Sequence, residues 1–402
     1  KLSLSCTTKT RPLMANITLF SQIISKLDRS KFNKLVAKKE TDKHNKGFNS
    51  WNHLVSMLFC QFAKSQSLRD ISNGLRSATG NLNHLGISKA PSKSSISYQN
   101  KNRSHELFKD YYFELLQSLG QHPKFKQVKF RIKSKIFLLD STTISLCLSL
   151  FDWAKYKTAK GAVKMHTLLD FDGNLPAYIN ITNGKTADNK GAYEIPLLKG
   201  SVIVADRFYN DFSLLNVWDS SGVFFVIRHK ENLQFTTIKE NELPDNLHQH
   251  IMKDELIELK NGPSKIKYPN KLRRISLWDE QNQQVIELIT NQFHWSPNTI
   301  GELYKSRWQV EIFFRDIKQL LHIKSFIGTS ENAVMIQIWT ALITILILKA
   351  LKAQSKFDWY LSNLVAFIRL NLFVKIDLQK WLDKPFEEHI EPPPENIQGV
   401  LF

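Results

Sequence analysis

Several features are scarce in this chain of 402 residues, and each scarcity excludes a class of protein. The three cysteines, Cys6, Cys60 and Cys147, are far apart in sequence and form no C-x-x-C pair. Their spacing argues against a zinc ribbon or a disulfide framework and favours a reducing cytoplasm. The first thirteen residues contain no long apolar run, so we expect no secretory signal, and we interpret residues 1–13 as an upstream extension before Met14.

Long hydrophobic runs are also missing. The most apolar stretch, from Met335 to Leu348, is interrupted by Gln337, Thr340 and Thr344. It is shorter than the roughly 20 residues that a membrane-spanning helix needs. The pattern therefore predicts a buried core helix, and we expect no membrane partner.

Acidic residues are scarce in the first third of the chain. Residues 1–130 hold 22 Lys and Arg against 7 Asp and Glu, a net charge of +15, whereas the remaining residues hold 33 against 30, a net charge of +3. A basic front end on a nearly neutral body fits a polyanionic partner, most commonly nucleic acid. A basic domain that is merely soluble is the alternative.

Apolar residues recur at helical spacing through residues 14–122 and predict a helical domain. The segments are Ile17–Lys39, Trp51–Lys64, a helix opened by Ser67, and His105–Leu119. A short polar helix over residues 92–103 carries Lys, Arg, Gln and Asn side chains. This arrangement is similar to a helix-turn-helix DNA reader, although solvated helices of ordinary function have the same composition.

The pattern changes near Lys124, where apolar runs typical of buried strands begin. Lys135–Asp140 and Ser201–Asp206 are two such runs, and each ends in an aspartate. An aspartate at that position lies at the carboxyl end of its strand, the edge at which active sites of α/β sheets form. Between the runs we predict a further strand over residues 143–150, a hairpin over residues 163–182 and a helix over residues 188–198.

Alternating apolar and polar residues over 231–296 predict a small β-rich insertion. The stretch from Tyr304 to Lys318 has no proline or glycine and predicts a single helix. On that helix Tyr304, Arg307, Glu311 and Lys318 fall within roughly 60° of one another. A carboxylate ringed by a phenol and two cations suits a site that holds a metal ion and a phosphate, and a solvated face with ordinary ion pairs is the alternative.

The pattern Y-x-x-R-x-x-x-E-x-x-x-x-x-x-K, from Tyr304 to Lys318, resembles the signature of the insertion-sequence-four family of bacterial DDE transposases. Three further motifs resemble that family and follow its order. They are D-S-T-T from Asp140, K-G-A-V-K-M-H from Lys160 and D-R-F-Y-N from Asp206.

The resemblance implies an α+β multidomain chain. A helical DNA-binding domain would occupy residues 14–122, and a ribonuclease-H-like catalytic core would occupy residues 124–230 and 297–380. The insertion at 231–296 would interrupt the core. Residues 385–402, which are rich in proline and acidic residues, have the composition of a disordered tail.

The activity that the resemblance implies is metal-dependent strand cleavage and strand transfer at the inverted repeats of an insertion sequence. Excision would follow a cut-and-paste route with a hairpin intermediate. The enzyme would act as a homodimer on double-stranded DNA in the bacterial cytoplasm, associated with the nucleoid. An inactive or domesticated DNA-binding protein and a generic metal-dependent nuclease are the alternative functions.

Asp140, Asp206 and Glu311 are the implied catalytic residues and metal ligands, and they would hold two Mg²⁺ or Mn²⁺ ions. Six residues are candidates for binding DNA phosphates: Tyr304, Arg307, Lys318, Arg315, Lys164 and Arg207. Trp278 is a candidate for stacking on a base, with a core tryptophan as the alternative. His166 is a further candidate for phosphate contact, and we favour the alternative of a structural histidine.

Overall fold

The computed structural model describes residues 17–78, 80–125, 134–146, 151–157, 160–230, 232–243, 250–260, 262–321 and 326–387. The extension predicted at 1–13 and most of the tail predicted at 385–402 lie outside these residues. The chain forms two compact units. The helical unit comprises Lys1–Leu115, Leu320–His322 and Asn332–Phe402, and the sheet unit comprises Leu116–Gln319 and Ile323–Glu331.

Six helices from the first part of the chain build the helical unit, and α6 continues past its limit. They are α1 (Leu19–Ser25), α2 (Arg29–Lys38), α3 (Ser50–Ala63), α4 (Leu68–Ser77), α5 (Lys93–Asn102) and α6 (Glu106–Gly120). Side chains cap their N-termini, as at Ser67, which accepts a hydrogen bond from the Asp70 amide at 3.2 Å, and at Ser92, which accepts one from the Ser95 amide at 3.1 Å. These helices confirm the helical region predicted from periodicity.

Three helices from the end of the chain complete this unit: α12 (Glu331–Gln354), α13 (Leu361–Leu370) and α14 (Leu378–Asp383). Helix α12 is long and apolar enough to cross a membrane by length and composition, and 83% of its most apolar window is buried inside the protein. Trp339 of α12 packs against Tyr112 with ring centroids 5.5 Å apart, and Gln61 donates to the Gln337 carbonyl at 3.2 Å. The predicted core helix is thus confirmed.

The predicted catalytic segment 297–380 is divided between the two units. Its second part belongs with the helical unit because α12 buries its apolar surface there, against α3 and α6. Apolar periodicity gives the burial of a helix but does not identify the helices that cover it.

Among the residues that the structure describes, ten strands and the five helices α7 to α11 belong to the sheet unit. The strands are β1 (Ile136–Leu146), β2 (Lys155–Lys157), β3 (Lys160–Asp170), β4 (Leu175–Asn183), β5 (Val202–Ala205), β6 (Phe224–Arg228), β7 (Phe235–Glu240), β8 (Ile251–Leu259), β9 (Leu272–Asp279) and β10 (Gln284–Thr290). The helices are α7 (Asp188–Ala192), α8 (Phe212–Ser220), α9 (Pro263–Lys267), α10 (Pro297–Ser306) and α11 (Trp308–Leu320).

The strands form one mixed sheet in the order β2-β3-β1-β5-β6-β10-β9-β8-β7, and β4 pairs with β3. Strands β1, β5 and β6 are parallel, and β3 is antiparallel to β1. The predicted insertion at 231–296 is β-rich, but it is not a separate sheet. Its last strand, β10, pairs antiparallel with β6 and so extends the central sheet.

Two predicted element boundaries are wrong. Residues 143–146 are the continuation of β1, so Asp140 lies within a strand and not at its end. The helix predicted over residues 188–198 ends at Ala192. Pro196 disfavours a helical conformation at the preceding residue, so the helix cannot continue through this segment.

A buried ion pair joins strands β8 and β9. Arg273 of β9 donates to both carboxylate oxygens of Asp254 on β8, at 2.8 and 2.6 Å, and the two side chains are only 6% and 5% exposed. We expect Arg273→Ala to lower the free energy of unfolding by about 3–5 kcal/mol, because it leaves a buried carboxylate without its partner. Urea denaturation measures this loss. The control is Lys271→Ala, an exposed neighbour expected to change stability by less than about 0.5 kcal/mol. Equal stability of the two variants would contradict the assignment.

Candidate active site

The two predicted aspartates lie side by side on neighbouring parallel strands of the sheet. Strands β1 and β5 are parallel, and their last paired residues are Leu139 and Ala205. Asp140 and Asp206 are the next residues on the two strands, so the register alone makes them neighbours. The Ser141 amide donates to Asp140 at 2.7 Å, and the Phe208 amide donates to Asp206 at 2.9 Å.

Glu311 reaches these aspartates through Arg307. The guanidinium of Arg307 donates to Asp140 Oδ2 at 3.2 Å and to Glu311 Oε1 at 2.5 Å. All three side chains are largely shielded from solvent, with 18% of Arg307, 16% of Asp140 and 34% of Glu311 exposed. One guanidinium thus links the central strand to the helix that carries the third carboxylate.

The single helix predicted from Tyr304 to Lys318 is broken at Arg307. Helix α10 ends at Ser306 and α11 begins at Trp308, and the Arg307 amide bonds to the Tyr304 carbonyl at 3.1 Å. Likewise the Val310 amide bonds to the Arg307 carbonyl at 3.1 Å. Bonds from residue i to i−3 are those of a tight 3₁₀-type turn. The residue at this tightened turn is the one whose side chain contacts both Asp140 and Glu311.

Burial is the main reason that the pKa values of the two aspartates are raised. Burial raises the pKa of Asp140 to about 7, against the opposing charge of Arg307, and the negative charges of Asp206 and Glu311 add to the rise. Burial also raises the pKa of Asp206, against the Phe208 amide and Arg307. A nearby cation stabilises the ionised form of a carboxyl group, so a bound cation would favour ionisation of both aspartates.

The chemistry of this donor set fits a hard divalent cation. Three carboxylates supply only oxygen ligands, which Mg²⁺ and Mn²⁺ prefer. Arg307 already places a positive charge between two of them. Among the residues that the structure describes, no three His, Cys, Asp or Glu side chains are close enough to form a complete ligand set. Asp140, Asp206 and Glu311 are the residues that would hold such an ion.

The predicted phosphate-binding residues have different surroundings. Tyr304 lies on α10 beside Arg307, whose guanidinium carbon is 6.0 Å from the centre of the ring. Lys318 is half-buried on the last turn of α11, and Arg315 is exposed on the same helix. Arg207 follows Asp206 directly and lies near the Phe208 ring. These four residues and Arg307 remain candidates for contact with a phosphate.

Lys164 has another partner. Its ammonium lies 3.1 Å from the carboxylate of Asp188, and the two side chains are 12% and 21% exposed. A phosphate would share this ammonium with Asp188, as it would share the Arg307 guanidinium with Asp140 and Glu311, so Lys164 also remains a candidate for phosphate contact. His166, two residues later, is fully buried and bonds to the Thr182 hydroxyl at 3.0 Å, as expected of a structural histidine.

Trp278 lies on a strand that is distant from the strands of Asp140 and Asp206. It lies half-buried on β9, and β9 is the third strand from β5 in the sheet order. Three strand spacings correspond to about 14 Å. The exposed aromatic residues beside the site are instead Phe208, which is 62% exposed, and Trp308, which is 58% exposed.

These two aromatic residues and Asp188 are not among the site residues predicted from the sequence. Phe208 and Trp308 each lie close in sequence to a motif residue, and that position is a signal in the sequence. Asp188 is 48 residues after Asp140 and 18 before Asp206, and only the folded sheet brings it to Ser141, whose hydroxyl donates to its carboxylate.

Comparison with known protein families identifies two matches. Residues 131–347 match the family described as "Transposase DDE domain", and residues 15–88 match a "Domain of unknown function (DUF4372)". The first match covers more than half of the chain and contains all three carboxylates.

This chain is similar to three named proteins. It is 30% identical over 240 residues to a "Probable transposase for insertion sequence element IS5377" of Geobacillus stearothermophilus, covering 60% of this chain and 63% of the relative. It is 30% identical over 227 residues to "Putative transposase y4zB" of Sinorhizobium fredii, covering 56% and 63%. It is 24% identical over 292 residues to a "Putative transposase for insertion sequence element IS4SA" of Synechocystis, covering 72% and 80%. The chain therefore spans less than two thirds of the length of the first two relatives.

Proposed function

The chain belongs to the transposase DDE domain family, and we propose that it cuts and joins DNA at the inverted repeats of an insertion sequence. The observation that carries this proposal is the parallel register of β1 and β5, which makes Asp140 and Asp206 neighbours, together with the Arg307 bridge to Glu311. These three carboxylates are the proposed catalytic residues.

The fold that we propose for residues 134–230 is ribonuclease-H-like. Support comes from the order β4-β3-β1-β5-β6, in which β3 is antiparallel to β1 while β1, β5 and β6 are parallel. Helix α11 would complete this core by bringing Glu311 to the sheet edge. The added strands β7 to β10 would then be an extension of the catalytic sheet.

Cleavage requires a nucleophile in line with the leaving oxygen of a phosphodiester. Two Mg²⁺ or Mn²⁺ ions bound at the site would activate the nucleophile and stabilise the leaving oxygen. Asp140, which neighbours Asp206 in the sheet and shares Arg307 with Glu311, would hold these ions together with the other two acids. Arg307, Tyr304, Lys318, Arg315 and Arg207 would bind phosphates and orient the strand.

We also propose the finer steps that the family resemblance implies. The excised end would pass through a hairpin, two copies of the chain would act on paired ends, and the reaction would occur in the bacterial cytoplasm at the nucleoid. Phe208 and Trp308 present exposed rings next to Asp206 and Arg307, which is the proper position for contact with DNA at the site.

The experiment that tests the proposal is cleavage of DNA that carries both ends of the element. Purified protein is incubated with the labelled DNA and Mg²⁺, and a sequencing gel maps the cuts. We expect cuts at the element ends that disappear in EDTA. Specific binding without any cut would instead indicate an inactive DNA-binding protein, and cutting at unrelated positions would indicate a generic nuclease.

The helical unit is the proposed DNA-binding part, because its residues 1–115 hold 19 Lys and Arg against 7 Asp and Glu, a net charge of +12. Deleting its first helices is an unsuitable test, since α12 depends on α3 and α6 for burial. Point substitutions on α5 are cleaner. Lys93, Tyr98 and Lys101 are exposed there, with Tyr98 65% exposed.

We expect the double variant Lys93→Gln and Lys101→Gln to weaken binding to the element ends. Each lost phosphate contact should reduce the slope of log affinity against log salt by about 0.9. Fluorescence anisotropy at several salt concentrations measures this slope. The matched control is Lys43→Gln, an exposed lysine of the same unit already 3.0 Å from Glu40. A slope unchanged in the double variant would exclude phosphate contact by α5.

A further inference from the structure

The carboxylate of Asp188, the first residue of α7, is bound from two strands of the sheet. Lys164 of β3 lies 3.1 Å from it, and Ser141 of β1 donates its hydroxyl to the same oxygen. Ser141 is the residue directly after Asp140, and its amide bonds to the Asp140 carboxylate at 2.7 Å. A side chain of α7 thus fixes the strand at the residue next to the first catalytic aspartate.

The next residue of the same helix holds the segment that follows the second aspartate. Asn189 donates to Asp211 at 2.7 Å. Asp211 in turn accepts from the Ser213 amide at 3.0 Å, which caps α8, and its own amide bonds to the Tyr209 carbonyl at 2.8 Å. The turn from Asp206 to Asp211 is therefore attached to α7 as well.

The position of α7 is itself closely constrained. A side chain at Gly191 would place its Cβ 2.7 Å from the ring of His166, a contact too short for any residue but glycine. His166 is fully buried on β3 and bonds to Thr182 of β4 at 3.0 Å. The helix thus packs on the sheet with no room to shift toward it.

Asp188 is also close to the site in electrostatic terms. Burial raises the pKa of Asp206, and the negative charge of Asp188 contributes to that rise. Burial raises the pKa of Tyr209, and the negative charges of Asp140, Asp188 and Asp206 add to that rise. Lys164 offsets the charge of Asp188 on the side of β3.

We infer that Asp188 and Asn189 are positioning residues that set the separation of the Asp140 and Asp206 carboxylates for divalent cations. This inference rests on the proposed function, because it assigns the two aspartates to metal binding. Asp188 acts through Ser141 and Asn189 acts through Asp211, so neither residue contacts the reacting atoms. Partners that orient metal ligands in this way typically change metal affinity by about 10–100-fold when they are removed.

The test measures metal binding by the protein alone. We expect Asp188→Ala to raise the dissociation constant for Mn²⁺, measured by calorimetry, by about 10–100-fold. Asp188→Asn retains an acceptor for Ser141 but loses the charge opposite Lys164, so it should have a smaller effect. Asn189→Ala should weaken Mn²⁺ binding in the same direction. The control is Asp170→Asn. Asp170 is the last residue of β3, and its carboxylate lies 2.7 Å from the Lys135 ammonium, so this variant also removes a paired carboxylate but should leave Mn²⁺ affinity unchanged.

A second measurement separates positioning from simple loss of folding. Thermal unfolding of Asp188→Asn should stay near that of Asp170→Asn, while the Mg²⁺ concentration for half-maximal cleavage rises and the rate at saturating Mg²⁺ largely recovers. If Asp188→Ala does not fold, the Mn²⁺ affinities of Asp188→Asn and Ser141→Ala test the inference instead. Folded variants with wild-type Mn²⁺ affinity would overturn the inference. Absence of DNA cleavage by the wild-type protein would instead count against the proposed function, since the Mn²⁺ measurement needs no DNA.

Discussion

Alanine in place of Asp140, Asp206 or Glu311 is expected to abolish DNA strand cleavage while leaving binding to the element ends intact. Each substitution would remove an oxygen ligand of the proposed metal ions, which would supply several kcal/mol of transition-state stabilisation. A loss of about 4 kcal/mol corresponds to a rate about 10³-fold lower. Gel-resolved cleavage and anisotropy on the same DNA measure the two activities separately.

The stability of these variants provides the control. Asp140 has its pKa raised to about 7 from 3.8, so the folded protein holds the proton more tightly than the unfolded chain does. The free energy of unfolding that this group contributes therefore falls as the pH rises from about 4 to about 7, and the loss is complete above that range. At pH 8 without metal, Asp140→Asn should unfold at a temperature at least as high as the wild type.

Normal Mg²⁺-dependent cutting by any of the three alanine variants would remove that residue from the catalytic set.

Substitution of Arg307 is the second change that should have a large effect. Its guanidinium contacts Asp140 and Glu311 with separate nitrogen atoms, a fork that lysine cannot reproduce. Charge-assisted hydrogen bonds contribute about 1.5–3 kcal/mol each, so losing one phosphate contact should slow cleavage about 10–100-fold. We expect Arg307→Ala to lose cleavage to this extent and to bind Mn²⁺ at least as tightly as the wild type, because a competing positive charge is gone.

The conservative variants address the hairpin. We expect Arg307→Lys and Tyr304→Phe to permit the first nick, which depends on the metal ligands, and to impair formation or resolution of the hairpin. A time course on a denaturing gel separates nicked, hairpin and double-strand-broken DNA. If both variants lose the first nick in proportion to the later products, the two residues position DNA generally and have no special part in the hairpin.

The sequence predicted the acidic residues of the site and most of the elements that carry them. Asp140 and Asp206 each follow an apolar run of central-strand type, and that local pattern is sufficient to locate them. Their adjacency depends on the pairing of β1 with β5, which no local pattern contains. The family resemblance supplied the link between these strands and Glu311.

The features that were missed depend on contacts between distant residues. The turn at Arg307 has no proline or glycine to mark it, and the side chain at the turn points to Asp140, 167 positions earlier. Asp188 is similar, because its partners Lys164 and Ser141 lie on two different strands. Helical periodicity likewise predicted that α12 is buried without indicating that α3 and α6 cover it.

The most direct test of the account is a change of metal preference in a single ligand. Cysteine in place of Asp140 offers a soft sulfur, which Mn²⁺ accepts more readily than Mg²⁺ does. We predict that the wild-type protein cuts the element ends in either metal, that Asp140→Cys cuts them in Mn²⁺ but not in Mg²⁺, and that neither cuts in EDTA. Equal cutting by Asp140→Cys in Mg²⁺ and Mn²⁺, or cutting by the wild type in EDTA, would contradict the claim that Asp140 holds a catalytic metal.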